Sequence, residues 1–321
     1  MPPVTTYPFG IHALDASYKS AGYPQPVYDA VHLIVDDGRA AFVDTGTHSC
    51  VPGLLAALDE LQIPRDHVDY VLLTHVHLDH AGGAGLLMRE LPAARLVVHP
   101  RGARHMIDPA RLFAATCDVY GREATVAMYG ELVPVAAHRV VEAVDDLQLA
   151  LGRRTLRILN APGHAKHHVV VHDSLSNQVF TGDTFGLSYR QLDVGDRSFI
   201  FPTTTPSQFD PVALHHSIDR IAALQPDAAF LTHYSRIRGV QQHALRLHRL
   251  IDAHVAVAVG VRDARTDRRA RIRDGLDRVV ERESAEQGWN LQGEAAVRFL
   301  DMDLDLNAQG LDVWLAAPPS R

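Results

Sequence analysis

Short apolar runs and turn residues alternate along the first part of the chain. Residues 31–35 and 40–43 are apolar runs on either side of Asp36-Asp37-Gly38, an arrangement typical of a β-hairpin. Residues 51–61 have apolar positions at helical spacing, and Pro64 follows where such a helix would end. Strands followed by a helix in this order indicate a mixed α/β protein.

The same alternation continues to about residue 240. Further strands are predicted at residues 70–74, 96–99, 147–151, 155–159, 168–172, 178–181 and 228–231. Residues 100–137 have a helical but irregular pattern, and residues 211–224 have the pattern of an amphipathic helix. Residues 186–211 are rich in aromatic residues, threonine and proline, with little periodicity. Because residues 199–206 within this stretch are too apolar to be free in water, we expect a packed loop there.

Beyond residue 238 the pattern becomes helical throughout. Helices are predicted at residues 241–259, 262–283 and 294–315. In the second of these, arginines are interleaved with aspartates, namely Arg262, Arg265, Arg268, Arg269, Arg271 and Arg273. Such interleaving favours a solvated or salt-bridged helix face over a nucleic-acid contact. We therefore expect two domains, an α/β domain over residues 1–238 and a helical extension over residues 239–321.

Composition narrows the possible functions without identifying one. The net charge of −7 is opposite to that of a typical non-specific nucleic-acid-binding protein. No apolar run approaches the roughly 20 residues of a membrane helix, and the first residues lack the basic and apolar parts of a signal peptide. With only two cysteines, Cys50 and Cys117, we expect no disulfide framework and a cytoplasmic protein.

The candidate chemistry is concentrated in one run directly after an apolar segment. That run contains four possible metal ligands, His75, His77, Asp79 and His80. Three more possible ligands follow in short motifs downstream, His164, Asp183 and His233. Imidazole and carboxylate groups suit zinc, iron and manganese. If the preceding strand continued through the motif, its period of two would point both His75 and His77 to one side. Seven ligands are enough for two metal ions that share a carboxylate.

This ordered set, together with Val43-Asp44-Thr45-Gly46, resembles the metallo-β-lactamase-fold hydrolase superfamily over roughly residues 10–235. The resemblance implies an α/β fold, a four-layer αββα sandwich, here with a C-terminal helical extension. It implies that one metal ion is held by His75, His77 and His164. It implies that a second ion is held by Asp79, His80 and His233, and that Asp183 bridges the two ions.

The resemblance also implies how such a centre acts. Two divalent ions, zinc by default with iron or manganese as alternatives, lower the pKa of bound water to about 7. A hydroxide shared by the ions is then the nucleophile, and the ions polarise the substrate oxygen and stabilise the oxyanion that develops. Asp79 is the predicted catalytic residue, because its oxygen that does not bind metal could accept the proton of the nucleophile.

Four further residues are candidates for orienting a ligand or contacting substrate. Asp44 follows a predicted strand, where it could orient a ligand imidazole or cap a turn. His168 lies four residues after His164 and is better explained as structural. Tyr189 and Tyr234 could each donate a hydrogen bond to a substrate oxygen, although core packing is the simpler explanation of each one.

Substrate class is narrowed by what the chain lacks and by its resemblance. Asp183 stands where the classical zinc β-lactamases have cysteine, and no flavodoxin-like segment follows the core. The chain looks similar to the glyoxalase II-like group and to the thioesterase-type proteins of quinolone biosynthesis. This similarity implies hydrolysis of an acyl thioester, lactone or related ester.

Two alternatives to this function stay open. One is a phosphodiesterase, for which Lys166 and Arg190 would be the candidate anion-binding residues. The other is a non-catalytic metal-binding protein with a partner-binding helical tail. For partners we expect a small-molecule substrate and neither nucleic acid nor membrane. The helical extension is expected to pack on or beside the active site, or to form a homodimer interface.

Overall fold

The computed structural model describes residues 4–20, 22–264 and 266–317. The chain divides into two compact units. The first unit comprises Met1–Asn160 and His167–Gly182, and the second comprises Ala161–Lys166 and Asp183–Arg321. The expected domain boundary between residues 238 and 239 is a different division and stays a prediction.

A seven-stranded sheet forms the larger part of the first unit. Its strands are β1 (Val4–Tyr7), β2 (Ile11–Asp15), β5 (Ala30–Asp36), β6 (Arg39–Val43), β7 (Val68–Leu72), β8 (Arg95–Val98) and β9 (Val140–Glu142). They lie in the order β1-β2-β5-β6-β7-β8-β9, and a separate small hairpin is made by β3 (Tyr18–Lys19) and β4 (Pro26–Val27). Pairing is antiparallel from β1 to β6 and parallel from β6 to β9.

The predicted hairpin at residues 36–38 is present between β5 and β6. Asp37 and Gly38 have φ values of 52° and 71°, the left-handed conformation that a tight two-residue hairpin turn requires. The parallel strands need longer connections, and helices provide them. These helices are α1 (Val51–Glu60), α2 (Leu78–Ala81), α3 (Ala84–Glu90), α4 (Pro100–Ile107), α5 (Ala110–Tyr120) and α6 (Arg122–Tyr129).

A row of buried side chains crosses this sheet. Leu33 pairs with Phe42, Phe42 with Val71, and Val71 with Leu96. All four residues are 0% exposed. Because each such side chain stabilises the fold by roughly 1.5–3 kcal/mol when buried, the row fixes β7 in the middle of the sheet. The end of β7 is where the histidine motif begins.

Four antiparallel strands of the first unit follow, β10 (Leu147–Leu151), β11 (Arg154–Asn160), β12 (Val169–Asp173) and β13 (Gln178–Gly182). The four strands predicted for this region are thereby confirmed. Arg154, only 2% exposed, pairs with Asp173 at 2.6 Å and donates to the carbonyl of Phe9 at 2.6 Å. The buried charge of Arg154 is therefore compensated by a carboxylate and by a backbone carbonyl. The second contact connects these strands to the N-terminal part of the unit.

The second unit is mostly helical. Its elements are α7 (Pro211–Ala223), the hairpin of β14 (Ala228–Leu231) and β15 (Ser235–Ile237), α8 (Val240–Gly260), α9 (Arg268–Gln287), α10 (Glu294–Phe299) and α11 (Asp301–Ala316). The predicted C-terminal helices are present, except that the second begins at Arg268 and not at residue 262, and the last segment is two helices separated at Leu300. Of the arginines noted above, Arg265 lies outside the described residues. Arg273 forms ion pairs with Asp277, Asp301 and Asp305, as expected of a salt-bridged face.

The aromatic stretch before α7 is a packed loop, as predicted. Leu187 and Phe201 form an isolated antiparallel bridge, and the rings of Phe199 and Phe201 stack with their centroids 6.1 Å apart. All three side chains are at most 3% exposed. Within residues 4–20, 22–264 and 266–317, no helix combines the length and the apolar character that crossing a membrane would need.

Candidate metal centre

The strand predicted at residues 70–74 is present as β7 and leads into the histidine motif, but the motif follows the strand rather than continuing it. The strand ends at Leu72, and Asp79 and His80 lie on the short helix α2 rather than in a turn. The reason is that the backbone N–H of Thr74 donates to Oδ1 of Asp44 at 2.8 Å. A side chain thus takes the place of the next rung of the sheet.

Asp44 holds one of the predicted ligands in place. Its Oδ2 lies 2.8 Å from Nδ1 of His80, and both side chains are buried. The carbonyl of His80 also accepts hydrogen bonds from the N–H and the hydroxyl of Thr45, at 2.8 and 2.9 Å. Since a carboxylate can only accept, Nδ1 carries the proton and Nε2 presents its lone pair. This is the usual arrangement of a metal-bound histidine and its carboxylate partner.

The imidazoles of the motif converge within the first unit. The ring centroid of His75 lies 4.4 Å from that of His77 and 4.0 Å from that of His80. Oδ2 of Asp79 lies 3.8 Å from Nε2 of His80. The ring of His168 stacks on that of His75 with centroids 4.8 Å apart, which is a packing role of the kind the sequence favours for it.

A glycine is required beside this group. Gly182 has a φ of 48°, and a Cβ there would lie 2.7 Å from both Nε2 of His168 and Oγ1 of Thr74. Contacts below 3 Å cannot be accommodated without a shift, so any larger residue would displace Thr74, whose hydroxyl donates to the carboxylate of Asp44 that orients His80. Gly182 directly precedes Asp183 in the chain.

His167 is a neighbour of the motif that sequence reasoning missed. Its ring centroid lies 6.0 Å from that of His77, and the side chain is 7% exposed. Burial, with smaller contributions from the histidines His77, His105 and His99, lowers the pKa of His167 to about 3. It is therefore neutral at neutral pH. The only signal for it in the sequence was its position beside His168.

In the second unit the carboxylate of Asp183 faces two histidines. Its Oδ2 lies 3.5 Å from Nε2 of His164, and its Oδ1 lies 3.5 Å from Nε2 of His233. These separations exceed ordinary hydrogen-bond lengths. Two ligand atoms that each lie about 2.1 Å from one tetrahedral ion are about 3.4 Å apart, which matches both contacts. Each oxygen of Asp183 thus lies at ligand-to-ligand distance from a different histidine.

Thr203 orients one of these histidines, and sequence reasoning missed it. Its hydroxyl donates to the carbonyl of Asp183 at 3.0 Å and lies 3.1 Å from Nδ1 of His164. Because the hydroxyl proton is used on Asp183, the hydroxyl accepts from Nδ1, and Nε2 of His164 stays available as a ligand. Thr203 lies 39 positions after His164, so no local motif points to it.

The two tyrosines named as substrate candidates have structural contacts in the second unit. The hydroxyl of Tyr189 donates to Oδ1 of Asp303 on α11 at 3.1 Å, and the side chain is 4% exposed. The carbonyl of Tyr234 accepts from Nε and Nη2 of Arg190, at 3.0 and 2.7 Å. Arg190 also forms an ion pair with Asp193 at 3.0 Å, so its positive charge is largely neutralised within the unit.

Histidine and aspartate side chains of the described residues form groups that could hold a metal ion. In the first unit the members are His75, His77, Asp79 and His80, and in the second unit they are His164, Asp183 and His233. Five imidazoles and two carboxylates make a mixed nitrogen and oxygen donor set, which fits zinc and also iron or manganese. The assignment of each residue to a particular ion stays a prediction.

Comparison with known proteins shows which family and which relatives this chain is similar to. Residues 26–234 match the family model described as the metallo-beta-lactamase superfamily. A hydroxyacylglutathione hydrolase of Stenotrophomonas maltophilia is 31% identical over 167 residues, which cover 52% of this chain and 50% of that protein. A second hydroxyacylglutathione hydrolase, of Aeromonas salmonicida, is 28% identical over 61% of this chain and 57% of its own length. The match therefore spans only about half the length of these relatives.

Solved structures show the same fold over nearly the whole chain. A metallo-beta-lactamase superfamily protein of Sulfolobus tokodaii superposes with a TM-score of 0.62 and 19% identity, covering 94% of this chain and 98% of that one. A metallo-beta-lactamase family protein of Thermus thermophilus superposes with a TM-score of 0.64 and 20% identity, covering 96% and 93%. The predicted fold class, a mixed α/β metallo-β-lactamase fold with C-terminal helices, is confirmed.

Proposed function

Because the chain belongs to the metallo-beta-lactamase superfamily, we propose that it is a dinuclear metal-dependent hydrolase of an acyl thioester, lactone or related ester. The observation that carries the proposal is the carboxylate of Asp183, with one oxygen toward His164 and the other toward His233. A carboxylate placed in this way suits two ions that share it. The relatives named hydroxyacylglutathione hydrolases support the choice of an ester or thioester substrate.

The proposed ligand sets are those that the family resemblance implies. In this proposal one ion would be held by His75, His77 and His164 and the second by Asp79, His80 and His233, and Asp183 would serve both. When bound, two such ions supply a water of lowered pKa and an electrophile for the substrate carbonyl. The protein's own contribution is to fix the proton on Nδ1 of His80 through Asp44 and on Nδ1 of His164 through Thr203. Both Nε2 atoms are then free of protons, so each could bind a metal ion without a change of tautomer.

Asp79 is the proposed proton acceptor. Its side chain is 22% exposed, whereas that of the neighbouring His80 is fully buried. A carboxylate that keeps contact with solvent can pass an accepted proton on, which the buried Asp183 cannot do as readily. Asp79 therefore combines a position beside His80 with a route for the proton.

Metal, location and assembly complete the proposal. We propose zinc as the metal, with iron or manganese as the alternatives that the same donor set would accept. A cytoplasmic location is proposed because both cysteines, Cys50 and Cys117, are free thiols. The substrate is proposed to be a small molecule. A homodimer through the C-terminal helices stays a prediction.

The phosphodiesterase alternative has no comparable support. It needs a cation to hold the anionic substrate, but Arg190 is engaged by Asp193 and by the carbonyl of Tyr234. Lys166, which is exposed, is then the one remaining cation of the two that the sequence offers for this role. We therefore favour a substrate with an uncharged scissile group.

The test combines metal content with initial rates on the purified full chain. We expect about two metal ions per chain, and turnover of an acyl-CoA, S-lactoylglutathione or a lactone but little turnover of bis-p-nitrophenyl phosphate. Asp183→Ala should lower metal content and hydrolysis together, because one carboxylate serves both ions. His216→Ala, on the exposed face of α7, is the matched control and should change neither. Hydrolysis of none of the esters by protein that carries two metal ions would overturn the proposal and favour a non-catalytic, partner-binding protein.

A further inference from the structure

Two histidine–aspartate pairs with the same spacing lie on neighbouring helices of the second unit. His215 and Asp219 are four positions apart on α7, and His248 and Asp252 are four positions apart on α8. Side chains at this spacing lie on one face of a helix, one turn apart. None of these residues belongs to the seven proposed ligands, so the hydrolase function leaves the two pairs unexplained.

Each histidine is held by the aspartate of the other helix. Nε2 of His215 lies 3.1 Å from Oδ1 of Asp252, and Nε2 of His248 lies 2.9 Å from Oδ1 of Asp219. The two contacts are reciprocal because α7 and α8 run in opposite directions where they meet. A carboxylate can only accept a hydrogen bond, so Nε2 of each histidine carries a proton.

The other nitrogens of the two rings face each other. Nδ1 of His215 lies 2.6 Å from Nδ1 of His248, with the ring centroids 4.9 Å apart and the ring planes at 22°. A neutral imidazole has one proton, and here that proton is on Nε2, so each Nδ1 presents a lone pair. Two lone pairs this close repel each other unless a cation lies between them. The side chains are 26% and 23% exposed, so an ion from solvent can reach this position.

The charge of the group favours a divalent ion over a proton as this cation. With both imidazoles neutral, the carboxylates of Asp219 and Asp252 give the group two negative charges. A shared proton offsets one of them, whereas a divalent ion offsets both. Imidazole nitrogen suits zinc, nickel and copper, and metal-bound histidines usually donate their other N–H to a carboxylate, as both do here.

We propose that His215 and His248 form a further metal site, which takes a divalent transition-metal ion such as zinc through their two Nδ1 atoms and links α7 to α8. Two ligand atoms of one tetrahedral ion are about 3.4 Å apart, so binding widens the Nδ1 separation from 2.6 Å by about 0.8 Å. Small rotations of the two partly exposed side chains provide this, and water completes the coordination. Asp219 and Asp252 are positioning residues, because they act through the histidines.

Calorimetric titration of the full chain with zinc tests this site. The chain is first loaded with zinc and passed over a chelating resin, which removes weakly held ions. The wild type should then bind about one further zinc ion, and His215→Gln and His248→Gln should lose this binding while keeping an N–H donor for the facing aspartate. The double variant Asp219→Ala, Asp252→Ala should weaken it by about 10–100-fold. His216→Ala, on the exposed face of α7, is the matched control and should bind the further ion as the wild type does.

Urea unfolding with and without excess zinc separates a lost site from a lost fold. The wild type should gain more resistance to urea from excess zinc than His248→Gln does, because the further ion binds only the folded helix pair. A wild type that takes up no further zinc would overturn the inference and leave a shared proton as the cation. So would glutamine variants that bind the further ion as the wild type does. The comparison is between chains with the same seven proposed ligands, so its result does not depend on the hydrolysis of any substrate.

Discussion

Gly310→Ala should destabilise the protein even though alanine is the better helix former. Gly310 lies in the middle of α11, where the helix meets the loop that precedes α7. A Cβ at this position would lie 1.7 Å from the carbonyl oxygen of Thr204 and 2.7 Å from the carbonyl carbon of Thr205. These are backbone atoms that cannot rotate away, so the helix or the loop must move.

The movement has a cost that can be worked out from the contacts. Asn307, one turn before Gly310, accepts from the N–H of Thr204 at 2.7 Å and donates to the carbonyl of Pro202 at 2.9 Å, and it is 1% exposed. Losing both buried hydrogen bonds costs about 2–5 kcal/mol, whereas the helix propensity of alanine returns about 1 kcal/mol. We expect a net loss of about 1–4 kcal/mol in the free energy of unfolding.

The same movement should reach the metal ligands of the second unit. Thr203 lies between Pro202 and Thr204, and its hydroxyl contacts both Nδ1 of His164 and the carbonyl of Asp183. A displaced loop would therefore also weaken metal affinity. Damage to the helix alone would lower stability, whereas displacement of the loop by the added Cβ would lower metal affinity as well.

Urea unfolding of the metal-free protein, followed by circular dichroism, would measure the stability change, and competition with a chromogenic chelator would measure metal affinity. Gly260→Ala is the matched control, because Gly260 ends α8 with no atom within 4 Å of an added Cβ. The control should be neutral or slightly stabilising. A Gly310→Ala protein as stable as the control, with unchanged metal affinity, would refute the close contact between α11 and the loop.

Three further predictions concern single side chains. Asp79→Asn should lower kcat by about 100-fold or more, with metal content nearly retained; near-normal turnover would exclude Asp79 as proton acceptor. Thr203→Val removes the nearer acceptor for Nδ1 of His164, leaving only the hydroxyl of Thr205 at 3.4 Å, and should weaken metal affinity by about 10–100-fold, measured with the same chelator. Burial lowers the pKa of His254 from 6.5 to about 4. As the pH falls from 6.5 to 4, the unfolded chain therefore binds a proton that the folded chain does not, and the free energy of unfolding decreases. In His254→Leu the decrease in the free energy of unfolding between pH 6.5 and pH 4 should be smaller by about 3 kcal/mol, as measured by urea unfolding of the metal-free protein. A decrease equal to that of the wild type would contradict a neutral, buried His254.

The sequence alone determined much of the secondary structure and the family. Hairpins, helices and the order of strands were predictable because each depends on residues close together in the chain. The hairpin at Asp36-Asp37-Gly38 needs only a local turn, and α7 and α8 need only an apolar face at helical spacing. The seven proposed ligands were recognisable because they form short motifs in a fixed order.

The local pattern of apolar residues did not predict where β7 ends. Apolar residues predict that the strand continues to Thr74, but Asp44, 30 positions earlier, accepts from the N–H of Thr74 and ends the sheet pairing. A side chain distant in sequence competes there with a backbone carbonyl for one donor. Propensity and periodicity contain no information about that competition.

Only the tertiary structure decided which residues support the ligands. Thr203 meets His164 across 39 positions. Threonine is a common residue, so its role here follows from packing and not from its identity. The residue type determines which donor atoms a ligand offers. Its orientation, and which of its nitrogens is protonated, depend on neighbours that only folding brings near.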